Sequence, residues 1–214
     1  MPETRMPRLR SLTALAALVG ALGCAASGTD PDTCPPGVAC TGATPTIVAL
    51  RLPAGDILAR SVTFYAKRGE DRAGAISFRN SDGEIEKLIE LDVKASSLLS
   101  APNGRRYVVG DSVAITITLV GSGQLLFDFQ PSGLRFNPQE PAELEIEYGD
   151  ATGGDVNGDG VVNATDTALL RQLAIWLQER VNDPFFRIET SFNNEVLEEI
   201  EADVLGFTRF AIAY

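Results

Sequence analysis

The 214-residue chain contains no histidine, which removes the residue that most often serves as general base, proton shuttle or metal ligand near neutral pH. Cysteine is scarce too. Cys24, Cys34 and Cys40 are the only three, too few without histidine to complete a zinc shell. Basic residues are outnumbered, 18 Lys and Arg against 29 Asp and Glu, so a nucleic-acid backbone is a poor partner. Aromatics make up 7% of the chain with one Trp, leaving Trp176 and Tyr65 as candidates for stacking on a sugar, although burial is the expected fate of both. The longest apolar run, Leu12 to Leu22, is too short to span a bilayer. No period of 20 to 50 residues recurs, which excludes solenoids and propellers.

What stands at the N-terminal end reads as an address. Arg5, Arg8 and Arg10 precede the apolar run, in the order of a signal peptide. The run ends in Ala21-Leu22-Gly23-Cys24, which resembles the bacterial lipobox, where the cysteine is lipidated and becomes the new N-terminus. An ordinary secretory signal with a chance cysteine is the alternative, and either one exports the chain. The resemblance implies a signal peptide over 1–23, lipidation at Cys24, attachment to a membrane through that lipid, and a place in the bacterial cell envelope, at the outer membrane or cell surface. Residues 24–45 are rich in Gly, Ser, Thr, Asp and Pro and read as a flexible tether. An oxidising compartment permits Cys34 and Cys40 to close a disulfide within it. Removing residues 1–23 takes three Arg and one Glu, leaving 15 basic and 28 acidic residues, net −13.

From residue 46 to 214 the pattern is mostly β. In DSVAITITLV, Val113, Ile115, Ile117 and Leu119 share one face, and in PAELEIEY the inward set is Ala142, Leu144, Ile146 and Tyr148, opposite three glutamates. Similar runs occur at IVALRLP, SVTFYAK, AISF, KLIELDV, QLLFDF, PFFRIETSF and GFTRFAIAY, separated by turn material such as NSDG, APNG, PSG and VNDP. Many short strands predict an antiparallel β-sandwich. The series through Gly133, Leu134, Phe136, Pro138, Pro141, Leu144, Ile146 and Tyr148, closed by GFTRFAIAY, resembles the β-sandwich domain of ankyrins, netrin receptors and bacterial surface proteins. Some members of that superfamily cleave themselves at His-Phe-Ser. Here the matching place reads Gly206-Phe207-Thr208; without a nearby base the Thr208 hydroxyl is a poor nucleophile, so the chain is expected to stay intact, with Phe207 and Phe210 in the core.

One stretch has spacing that suggests a chemistry of its own: DVNGDGVVNATD, residues 155 to 166. Calcium takes six to eight oxygens, and a twelve-residue loop supplies them from positions 1, 3, 5, 7, 9 and 12. Asp155, Asn157, Asp159, the Val161 carbonyl, Asn163 and Asp166 occupy those positions, and Gly160 stands at the sharp turn of position 6. The loop is similar to an EF-hand, and its closing Asp together with the following TALLRQL resembles dockerin loops. The resemblance implies Ca2+ as cofactor. Dockerins pair two loop–helix units to face a cohesin, and this chain has one, which weighs against a cohesin-binding role. A short helix over 164–171 followed by a strand is expected, although Leu169, Leu173, Trp176 and Leu177 also suit a longer helix. On this reading residues 155–172 are an insertion between two sandwich strands.

The reading that follows is a non-catalytic, envelope-anchored lipoprotein with a calcium-stabilised β-domain, serving binding, adhesion or surface organisation toward a protein or glycan. The alternatives are a carbohydrate-active hydrolase, a glycan-binding module or a docking protein. Glu84, Glu86, Glu90 and Asp92 would be the hydrolase carboxylates, but they alternate as a solvated strand face does.

Overall fold

Two-residue alternation turns into strand where a neighbour can pair with it. The computed structural model describes residues 37–39, 42–53, 55–206 and 208–214. In chain order these hold β1 (Ser61–Lys67), β2 (Arg72–Arg79), β3 (Ile85–Val93), β4 (Leu98–Ser100), β5 (Ser112–Leu119), β6 (Leu126–Gln130), β7 (Arg135–Phe136) and β8 (Ala142–Glu147). Two short helices follow, α1 (Gly149–Thr152) and α2 (Ala164–Leu170), then β9 (Ala174–Gln178), β10 (Phe186–Arg187), β11 (Phe192–Asn194), β12 (Glu199–Val204) and β13 (Arg209–Ala213). The sheets have the orders β1-β5-β6-β13-β9-β10 and β11-β12-β8-β3-β2, with β4 and β7 forming a small third pair. All pairings between these strands are antiparallel. The protein is mostly β, an antiparallel sandwich, as its alternation predicts.

The core lies between the two large sheets. Ile115, Ile117 and Leu119 of β5, Phe127 and Phe129 of β6, Leu91 and Val93 of β3, and Leu144 and Ile146 of β8 are all buried, each contributing about 1.5–3 kcal/mol by leaving water. Phe129 meets Phe210 edge to face at 5.2 Å between ring centroids. The expected inward set of PAELEIEY is buried throughout. So is Phe210; Phe207 lies outside the described residues, as do the signal segment, Cys24, Cys34 and Cys40.

Four expectations need correction. IVALRLP forms no continuous strand. It is a strap held on both sides, with Val48 N–H donating to Ile212 O at 3.0 Å while Leu125 N–H donates to Val48 O at 3.0 Å, and alternate pairing leaves isolated bridges at Ile47 and Ala49. PFFRIETSF breaks into β10 and β11, which belong to different sheets, so only Phe186 and Arg187 pair with β9 after the VNDP turn. In β3 the pairing shifts from Ile76↔Ile89 to Ser77↔Lys87, a bulge that buries the adjacent Leu88 and Ile89 together. The bulge changes the phase of alternation, so Glu84 and Glu86 do not continue the face of Glu90 and Asp92; Lys87 does, bonding Glu90 and lying 3.2 Å from Glu145. Finally, Tyr65 is 68% exposed, because it points outward from β1, an edge strand of the six-stranded sheet. Trp176 is half-buried, donating its indole N–H to Ala213 O at 3.1 Å.

Candidate metal centre

The loop 155–166 joins β8 of one sheet to β9 of the other, entered through α1 and left through α2. Its shape is made by its own side chains. Asp155 Oδ1 accepts from Gly158 N at 2.9 Å and Oδ2 from Gly160 N at 2.9 Å. Asn157 Oδ1 accepts from Asp159 N, and Asp159 Oδ1 from Val161 N, both at 2.8 Å. Gly160 has φ +88°, the left-handed turn that its position in the spacing requires. Asp166 is almost wholly buried and closes the loop onto its start, accepting from Val156 N at 3.0 Å and, through its other oxygen, from Asn163 N at 2.9 Å. The backbone donors, that of Asn163 first, hold its carboxyl below the usual carboxylate range.

The same groups start α2. Asn163 is its N-cap, accepting from Thr165 N at 2.7 Å, and with Asp166 at N3 completes a capping box. The helix ends at Leu170, and β9 begins at Ala174, so the short-helix-then-strand alternative is the one the chain adopts.

Asp155, Asn157, Asp159, Val161, Asn163 and Asp166 are therefore all drawn into one loop, and the donor set is oxygen only, as calcium requires. Among the described residues no group of three or more Asp, Glu, Cys or His side chains is gathered as a metal cage; the set here alternates carboxylates with amides and a carbonyl. Its chemistry fits Ca2+. Spacing could not reveal a seventh participant, Arg51, whose Nη2 donates to Asp155 Oδ2 at 2.6 Å across 104 residues of sequence.

Residues 153–197 match the dockerin type I domain. No curated protein and no solved structure matches the chain. Dockerin type I domains bind Ca2+ through EF-hand-like loops, and Ca2+ is the cofactor of this segment. The match also supports a docking or cell-surface protein, with a protein as its partner. Only the first half of the dockerin segment is loop and helix: after α2 it runs through β9, β10 and β11, of which β9 pairs with β13 and β10, and β11 with β12.

Carboxylates of three neighbouring strands form a separate acidic face. On the outside of the five-stranded sheet Glu90, Glu145 and Glu201 stand in register, as do Asp92, Glu143 and Asp203. Burial, then the neighbouring charges of Glu90 and Glu143, raises the Asp92 carboxyl. A groove of about 180 Å³ lies elsewhere, lined by Arg135, Leu177, Arg180, Asp203 and Thr208 among others. There the Thr208 hydroxyl is engaged as a donor to Gln178 O at 2.7 Å.

Proposed function

We propose that this is a non-catalytic lipoprotein of the bacterial envelope, held to a membrane through a lipid on Cys24, whose calcium-ordered dockerin segment engages a protein at the cell surface. The observation that carries the reading is the placement of that segment. Its loop and α2 connect the two sheets while its second half supplies three strands of the sandwich, so calcium orders an element built into the domain it serves. The absence of histidine and the use of the Thr208 hydroxyl as a structural donor support a role without catalysis. The resemblance of the sandwich sequence to the ankyrin and netrin-receptor type suits the same display role. The anchor is tested by membrane fractionation: the protein should pellet with membranes, and Cys24→Ala should release it or block its processing. An unmodified soluble wild-type form would overturn the anchor.

The partner surface has a physical candidate. Val161 and Val162 in the loop, and Val196 and Leu197 in the turn before β12, are each at least 58% exposed, and adjacent exposed apolar groups mark interaction sites. Docking to a cohesin-type module is the specific form this would take. Calorimetry with a purified type I cohesin, in calcium and then in chelator, distinguishes the cases: calcium-dependent binding lost in Val162→Asp supports docking of that kind, and its absence restricts the partner to another protein class.

A further inference from the structure

The position-1 carboxylate of the calcium loop is already paired with a cation that the protein supplies. Arg51 belongs to the strap, far from the loop in sequence, and is fixed beside it by its own backbone, its N–H donating to Ala151 O at 2.7 Å. The contact between strap and loop is close: a Cβ added at Gly158 would lie 3.1 Å from the Ala49 Cβ and 3.4 Å from Arg51 Nη2. Asp155 Oδ2 takes both the Gly160 N–H and the guanidinium, which uses both of its lone pairs. The Asp155 side chain is 10% exposed and that of Arg51 is 41% exposed, so the guanidinium covers the carboxylate from the solvent side.

We propose that Arg51 is a resident counter-cation that competes with Ca2+ for Asp155, coupling calcium occupancy of the loop to the side-chain pair that links it to the strap. A divalent ion binds carboxylate oxygen at about 2.3–2.6 Å. An ion at that distance from Asp155 meets a fixed positive charge bonded to the same group. Calcium therefore enters by repelling or displacing the guanidinium, and by reciprocity the bound ion weakens the Arg51–Asp155 pair by the same factor. The backbone bonds of the strap to Ile212 and Gly123 do not involve Arg51's side chain, so its displacement frees the side chain without detaching the strap.

This rests on the reading of residues 155–166 as a calcium loop, and the experiment separates the two. Calcium titration calorimetry is run on the purified wild-type protein, on Arg51→Gln, on Arg51→Lys and on Arg171→Gln, a variant that removes an equal charge from the exposed end of α2, where Arg171 lies 3.8 Å from Glu195. Removing one positive charge about 5 Å from a divalent ion should tighten binding roughly tenfold. Arg51→Gln should show that gain, Arg51→Lys should stay near wild type, and Arg171→Gln should change affinity less than about twofold at 0.15 M salt. In parallel, the Arg51 side-chain NMR signals should lose protection as calcium is added to wild type. Wild-type protein that binds no calcium overturns the loop reading itself. Wild type that binds while Arg51→Gln binds equally or more weakly overturns the competition alone; weaker binding would assign Arg51 to holding Asp155 in place.

Discussion

On β8, Glu147 stands opposite Glu199 of β12, and burial, followed by the charges of Glu86, Asp150, Glu199 and Glu198, pushes its carboxyl up to about 7. A folded-state value above the ordinary 4.5 means that the folded protein holds this proton more tightly than the unfolded chain. Glu147 therefore costs no stability well below pH 4.5, an increasing amount as pH rises from there to about 7, and a constant amount above. The group is only partly buried, so after allowance for solvent screening the cost is about 1 kcal/mol. Glu147→Gln should raise the melting temperature by about 2–4 °C at pH 8 and leave it unchanged at pH 4, as thermal melts across that range will show. At this scale calcium spacing lies along the chain, so the six candidate donors, with Gly160 at the turn, are read from residues 155 to 166 alone. Glu147 is not, since its carboxyl is shifted by charges on other strands that only register brings together.

Two elements show how neighbours decide what a local pattern becomes. The alternation of β5 and β8 could be read directly, because apolar and polar residues alternate without interruption. β12 is not evident from the sequence although Ile200, Ala202 and Val204 also alternate, since the central alanine and the flanking acidic residues make a weak apolar stripe that pairing with β8 reinforces. In β2, Gly74 exists for a ring: a Cβ there would lie 2.1 Å from Phe64 Cδ1. Gly74→Ala should destabilise by about 1–3 kcal/mol through overpacking, measured as a lower urea midpoint with an unchanged slope. The loop and α2 make a different case, an element shaped by its own side chains that a ligand is expected to stabilise further. Calcium at a hundredfold excess over its dissociation constant should add about 2.7 kcal/mol, and Asp155→Ala or Asp159→Ala should abolish most of that gain. Hydrogen exchange in chelator should accelerate over residues 155–172 while the amides of β5, β6 and β13 stay protected; loss of protection throughout would show that the ion holds the sandwich itself.

For the molecule as a whole, charge and topology pull in different directions. Carboxylates dominate the outer face of the five-stranded sheet, where Lys87 and Lys94 are paired with Glu90 and Glu143 but cannot balance all of them. Screening should therefore stabilise the fold: raising sodium chloride from 20 to 500 mM is expected to increase the melting temperature, an outcome opposite to that of a fold held by surface ion pairs. The sandwich class could be read from strand number and turn spacing. The strap and the Arg51 contact could not, because both depend on which distant segments meet. Topology carries a further consequence for biogenesis. β13, last of the strands in chain order, sits between β6 and β9, so until it arrives the six-stranded sheet exists only as two separate ribbons. Closure must await the most distant part of the sequence, a high-contact-order step that is intrinsically slow. A chain that emerges from its N-terminal side thus keeps this sheet open until β13 is free to pair, then locks it in one late event.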